Sequence, residues 1–163
     1  MDGLTGLATY RVLRDRLATE VARSDRTGDP FAVLFVDLDN FKKVNDEFGH
    51  EAGNEVLRGA ARECGAHIRT TDLAARYGGD EFVLVLVRTR VEGALGVADK
   101  VRATVEGMGR TLGYAEGLVT ASVGVAEFVP GRGPETEDVL VAADRALYRA
   151  KASGRNQVAT GER

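Results

Sequence analysis

The chain has 163 residues, 44% of them hydrophobic, a net charge of -3 and one cysteine. That length and apolar content suit a single domain, 1–163, with its own core. The near-balanced charge excludes a general affinity for duplex nucleic acid or an anionic membrane. The lone Cys64 excludes an internal disulfide, and no apolar run approaches the ~20 residues of a membrane span. No signal-peptide pattern opens the chain, so a cytoplasmic location is expected.

In chain order, Asp2-Gly3-Leu4-Thr5-Gly6 is turn-like, and Thr9 is placed to cap a helix. Tyr10, Leu13, Leu17 and Val21 recur at helical spacing up to a stop near Ser24-Asp25. Phe31 to Val36 is apolar at every position, the mark of a strand covered on both faces. A helix pair is expected over Phe41–Phe48 and from Glu51 to about Gly65, with Cys64 a buried, inert thiol. Leu73 to Tyr77 and Phe82 to Val87 read as two strands of a hairpin. Ala94, Ala98, Val101, Val105 and Met108 mark another helix, and Thr120 to Ala126 a strand. A loop at Gly131-Arg132-Gly133-Pro134 precedes a last helix that buries Val139, Leu140, Ala143, Ala146, Leu147 and Ala150. Gly154 is its expected stop, and Asn156 to Ala159 an edge strand. A helix followed by β-α-α-β-β-α-β-α-β predicts an α+β fold, a central mixed sheet flanked by helices.

The hairpin carries the chemistry. Gly78-Gly79 predicts a two-residue turn with positive φ, but a hairpin tip needs no carboxylates, and adjacent like charges repel. Asp80 and Glu81 nevertheless stand at the mouth of a buried strand, and Phe31–Val36 likewise runs into Asp37-Leu38-Asp39. If those strands are neighbours, Asp37 and Asp80 come within reach of one cation. Carboxylates without a His or Cys cluster suit Mg²⁺ or Mn²⁺ rather than Zn²⁺. Mg²⁺ held by few protein oxygens takes the rest from water and substrate phosphates, which points to a nucleotide site. Asp39, just before a helix, reads equally well as an N-cap.

Arg76 to Phe82 (RYGGDEF), together with DGLTGL at 2–7, FVDLDNFKKVNDEFGHEAGNEVL at 35–57, SVGVA at 122–126 and ADRALYRAKASGRN at 143–156, resembles the GGDEF family of diguanylate cyclases. The resemblance covers nearly the whole chain. It implies a nucleotidyl-cyclase or palm-like fold with a largely antiparallel sheet, and condensation of two GTP into cyclic di-GMP with release of two pyrophosphates. It further implies that Asp37, the Leu38 carbonyl and Asp80 hold Mg²⁺ or Mn²⁺, that Asp80 helps deprotonate the ribose 3′-hydroxyl, and that Glu81 supports it. Phe41 and Lys42 would lie at the substrate, with Lys42 near the triphosphate. Lys151 and Arg155 would neutralise phosphates, Asn45 would read the guanine edge, and His50 would start a helix near the base. Each copy supplies half of the reaction, so a homodimer, at least transient, is implied. Arg69 and Asp72 match the family's RxxD inhibitory site for cyclic di-GMP. Starting so near DGLTGL, the chain is expected to be the C-terminal output domain of a longer protein with a sensor upstream.

Three positions depart from the family pattern. Thr9 and Tyr10 stand where an asparagine and an arginine are usual, a change expected to matter for local packing. Asn54 follows Gly53 where an aspartate usually reads guanine. Two competing readings follow: a non-catalytic receptor for GTP or cyclic di-GMP, and a cyclase with relaxed purine specificity.

Overall fold

A computed structural model describes residues 1–131 and 136–161. Its elements are α1 (Tyr10–Thr27), β1 (Phe31–Asp39), α2 (Phe41–Phe48), α3 (His50–Ala66), β2 (Leu73–Arg76), β3 (Glu81–Leu86), α4 (Val91–Thr111), β4 (Thr120–Phe128), α5 (Thr136–Ala152) and β5 (Val158–Thr160). The sheet order is β2-β3-β1-β4-β5. Every neighbouring pair is antiparallel except β4 with β5, so the sheet is mixed and largely antiparallel as expected.

The unbroken apolar run of β1 has its cause in this position. Side chains alternate between faces along a strand, and both faces of this central strand are covered. Ala32, Leu34, Val36 and Leu38 pack with Val44 of α2, Val56, Leu57 and Ala60 of α3, and Ala98 and Val101 of α4. Phe31, Val33 and Phe35 pack on the other side with Leu13 and Leu17 of α1 and Val139, Ala143 and Leu147 of α5. The odd-numbered face of β1 therefore continues into Asp37 and Asp39, on the side that α5 covers. Cys64 is buried in the first cluster, and burial pushes its thiol up to about 12, so it is inert at neutral pH.

Several boundaries move for local reasons. α1 runs to Thr27 because Gly28, at φ 82, supplies the left-handed cap and donates its N–H to the Ser24 carbonyl at 2.8 Å. The acids close β1 rather than follow it, since pairing extends through Asp39 opposite Thr120. α5 ends at Ala152, just before the expected stop at Gly154, and Arg155 lies beyond the helix. The edge strand begins at Val158 because Asn156 sits at φ 47, outside extended geometry. Residues 132–134 of the expected loop lie outside the described residues. Among the described residues no helix is long and apolar enough to cross a membrane.

α5 crosses the sheet directly over Gly124 of β4. A Cβ there would overlap the Ala143 carbonyl and the Leu147 backbone, neither of which can swing aside. Gly124→Ala is therefore expected to destabilise the fold by about 1–3 kcal/mol, the usual cost of overpacking. Urea unfolding measures it, and an unchanged midpoint would show that α5 sits farther from the sheet.

Candidate active site

The GGDEF loop connects β2 to β3 across four residues, 77–80, rather than a two-residue turn. The expectation of positive φ at Gly78 and Gly79 is corrected: neither is among the glycines with left-handed backbone. The hairpin closes instead through the Glu81 carbonyl, which accepts from Tyr77 N at 2.9 Å and Gly78 N at 3.4 Å. The Glu81 carboxylate folds back over Gly78, where a Cβ would push its flexible tip aside.

A second clamp fixes the loop from outside. Arg76 donates through Nε to the Gly78 carbonyl at 3.2 Å and through Nη2 to the Gly79 carbonyl at 2.8 Å. Its Nη1 pairs with Asp2 Oδ1 at 3.3 Å. Asp2 is fixed in turn by Thr5, whose N and Oγ1 donate to Oδ2 at 2.8 and 2.6 Å. Burial would raise the Asp2 carboxyl, but the Thr5 hydrogen bonds and the Arg76 charge outweigh it and hold it below its ordinary value. DGLTGL is thus a buttress for the signature loop, a role that sequence reasoning missed. Thr9 accepts from Val12 N as the α1 cap, and Tyr10 meets the Tyr77 ring edge-on at 5.3 Å. Those two departures have local packing roles, as expected.

β1 and β3 are neighbours, with Asp37 opposite Glu81 and Leu38 N donating to the Asp80 carbonyl at 3.1 Å. The three acids share one end of the sheet, and the electrostatics record it. Asp37 is pushed up to about 7 by burial first and then by the Asp80 charge, which together outweigh the opposing pull of Lys151. Burial and Asp80 also raise Glu81. Asp37 Oδ1 is buried with no hydrogen-bond partner. A buried carboxylate oxygen without a donor is costly, and a divalent cation is the partner that such a cluster of like charges accommodates. Among the described residues no three His, Cys, Asp or Glu side chains group tightly enough to hold a metal alone. The donor set therefore fits Mg²⁺ or Mn²⁺, which complete their shells with carbonyl, water and phosphate oxygens.

Asp39 is not a helix cap. Asn40 holds the position before α2, with a left-handed backbone, φ 61, and no side-chain capping bond. Asp39 is 2% exposed and accepts from Thr120 Oγ1 and Ser122 Oγ, each at 2.8 Å, and from Lys151 Nζ and Asn156 N, each at 3.1 Å. Lys151 Nζ also pairs with Asp37 Oδ2 at 3.2 Å, so its place in the structure is between the two aspartates. The readable signal for this hub was Thr120 and Ser122, two hydroxyls at i and i+2 in an apolar strand.

The remaining residues lie around this end of the sheet or away from it. Phe41 opens α2 half-buried, and Lys42 beside it is exposed. A Cβ on Gly53 would overlap the Asn45 side chain and meet the Phe41 ring at 3.3 Å, so these three residues adjoin where α2 and α3 meet. Asn54, one residue on, is half-buried like Asn45; His50 begins α3 and is exposed. Arg155 is exposed, with φ 63. Arg69 and Asp72 are at the opposite end of β3, roughly 20 Å from Asp80 at the rise of an extended strand. Asp72 is buried and saturated. Its Oδ2 accepts from Arg69 N at 2.9 Å and Nε at 3.3 Å, and its Oδ1 from Arg69 Nη2 at 3.3 Å and Val87 N at 2.9 Å. Arg69 also donates to the Val87 carbonyl and to Thr89 Oγ1.

A five-stranded mixed sheet flanked by helices, with Asp37, Asp80 and Glu81 gathered at one end, defines a palm-like α+β domain. The profile of the family described as diguanylate cyclase, GGDEF domain, matches residues 1–157, and the chain belongs to the GGDEF family. It is 42% identical over 159 residues to the response regulator PleD of Caulobacter vibrioides, covering 96% of this chain and 35% of that protein. It is 38% identical over 159 residues to the diguanylate cyclase DosC of Escherichia coli K12, covering 97% of this chain and 34% of that protein. The crystal structure of the GGDEF domain of DgcB from Caulobacter crescentus in complex with c-di-GMP superposes with a TM-score of 0.91 at 33% identity, covering 100% of this chain and 93% of that one. The chain thus spans about a third of the length of these two curated relatives.

Proposed function

We propose that this domain condenses two GTP molecules into cyclic di-GMP, releasing two pyrophosphates, when two copies face each other. The observation that carries the reading is the β1–β3 pairing that brings Asp37 beside Asp80 and Glu81, with one buried Asp37 oxygen unsatisfied. Asp37, the Leu38 carbonyl and Asp80 would hold Mg²⁺ or Mn²⁺. Bound there, the cation would supply charge stabilisation to the α-phosphate and acidify the attacking hydroxyl. Asp80 takes up the ribose 3′-hydroxyl proton, with Glu81 in support. The 3′-oxygen forms a bond to the α-phosphorus of the GTP on the partner copy as the α–β bridging bond breaks and pyrophosphate leaves. A second, reciprocal attack closes the ring, which requires the two-fold dimer. Lys42, Lys151 and Arg155 neutralise the triphosphate, while Phe41, Asn45 and Asn54 surround the base.

At the far end of the sheet, Arg69 and Asp72 form the RxxD site for cyclic di-GMP. Because Asp72 is saturated by its own turn, Arg69 is the half that turns to the ligand, pairing with guanine O6 and N7. The longer relatives are consistent with an output domain governed by a sensor elsewhere in its chain.

Metal-dependent release of pyrophosphate from GTP tests the reaction. Wild type should release it with Mg²⁺ and stop with chelator, while Asp80→Asn folds but loses at least about a hundredfold, the scale for removing a group that acts in the transition state. A mutant as fast as wild type would leave Asp80 without a chemical role.

Calorimetry without metal tests the second site. Cyclic di-GMP should bind with a Kd of about 0.1–10 μM, a usual range for a small polar ligand, and Arg69→Ala should weaken it at least about tenfold, the loss of one charge-assisted pair. Equal binding by both proteins removes the site.

Asn54 sets the base preference. A carboxylate there would accept from both guanine N1–H and N2–H, whereas an amide accepts only through its oxygen and presents a donor beside it. Losing one charge-assisted bond costs about 1–3 kcal/mol, ten- to hundredfold in discrimination. The same amide matches the adenine edge, donating to N1 and accepting from N6. GTP remains the better substrate through Asn45, but Asn54→Asp should raise kcat/KM for GTP and suppress ATP-derived product. An unchanged GTP-to-ATP ratio would mean that residue 54 does not read the base.

A further inference from the structure

Arg155 and Asn156 are consecutive non-glycine residues in the left-handed region, at φ 63 and 47. Such a pair is costly and persists only where surrounding contacts over-determine it. The contacts converge on Asn156, whose position the proposed reaction leaves unexplained. Its backbone N–H is shared between Asp39 Oδ2 at 3.1 Å and Ser122 Oγ at 3.2 Å. Its side chain faces α4, where Oδ1 accepts from Arg102 Nη1 at 3.0 Å and Nδ2 donates to Glu106 Oε2 at 3.1 Å. A carboxamide suits that place, because it accepts from a guanidinium and donates to a carboxylate with one planar head. Arg102 is itself held by Asp99 Oδ1 at 2.8 Å and Glu106 Oε1 at 3.6 Å. The turn that carries Arg155 is therefore gripped from β1 and β4 on one side and from α4 on the other, while the Arg155 side chain projects exposed. Asp39, which takes the Asn156 N–H, also takes Lys151 Nζ, so one buried anion sets the position of both cations.

We propose that Asn156, clamped by the Arg102–Glu106 pair of α4 and by Asp39, is a positioning residue that preorganises Arg155 for the substrate triphosphate. The inference rests on the reading above, in which Arg155 meets the phosphates. It adds that α4, which supplies none of the residues assigned to the reaction, controls nucleotide affinity through this turn. The physical gain is entropic: a turn already fixed in its strained form does not have to be ordered when the nucleotide arrives.

The test measures kcat and KM for GTP, and equilibrium binding of a GTP analogue with an α,β-methylene bridge in Mg²⁺. It uses Arg102→Ala, Arg102→Lys, Arg155→Ala and the double variant Arg102→Ala/Arg155→Ala, with guanosine monophosphate as a ligand lacking the outer phosphates. Arg102→Ala should raise KM and weaken the analogue by about tenfold, the scale of lost preorganisation at one charged contact. Its kcat should hold near wild type, Arg102→Lys should recover part of the loss, and guanosine monophosphate binding should not change. Since Arg102 acts through Arg155, the double variant should be no worse than Arg155→Ala alone. Glu106→Leu releases the clamp from its other side and should behave like Arg102→Ala, which keeps the test open if either variant folds poorly. Costs that add in the double variant, or wild-type analogue binding by Arg102→Ala while Arg155→Ala is impaired, overturn the positioning role and leave the phosphate reading standing. A neutral Arg155→Ala overturns both.

Discussion

The buried Asp39 carboxylate is the interaction on which the geometry of this end of the molecule depends. It lies at the end of the central strand with four donors from three other parts of the chain: β4, the end of α5 and the turn after it. Removing one partner from a buried, fully paired charge typically costs about 3–5 kcal/mol, because the remaining charge cannot be resolvated. A group under that constraint holds its neighbours in a single arrangement. Here the neighbours are the strand that carries Asp37, the helix end that carries Lys151 and the turn that carries Arg155.

Around that anchor the sheet supplies alternation and the loops supply direction. The odd-numbered face of β1 is oily from Phe31 to Phe35 and acidic at Asp37 and Asp39, so one face serves both core and site without a change of backbone. The signature loop is then set against it by two independent grips: the Glu81 carbonyl within the hairpin, and Arg76, steadied by Asp2, on the carbonyls of Gly78 and Gly79. The like charges that this gathers are not neutralised internally. Lys151 offsets part of the repulsion at Asp37, yet burial and Asp80 still push its carboxyl up to about 7. A site held in that condition is primed for a cation rather than for another protein side chain.

The two ends of β3 differ in character for a related reason. At the Asp80 end, carboxylates are left partly unsatisfied. At the other, Asp72 has every oxygen occupied by Arg69 and Val87 and belongs to the fold as much as to any ligand. The two members of this short motif are joined by the same turn but differ in exposure, 58% for the Arg69 side chain against 3% for Asp72.

The sequence by itself determined the element order, the buried central strand, the edge position of β5 and the family. Those follow from periodicity, from turn residues and from motifs that lie within one stretch of chain. It also named the acids that gather, because an acid at the end of an apolar run is conspicuous along the chain. Only the tertiary structure decided that Asp39 is a buried hub rather than a cap, and that Lys151 lies between two aspartates. It alone showed that the turn carrying Arg155 is strained, and only there do Asp2 and Asn156 have structural work. Each of those outcomes joins residues dozens of positions apart, such as Asp39 with Thr120, Lys151 and Asn156. No local pattern encodes such a meeting, since a side chain's partners across a sheet are fixed by strand register and helix packing after the chain has folded back on itself.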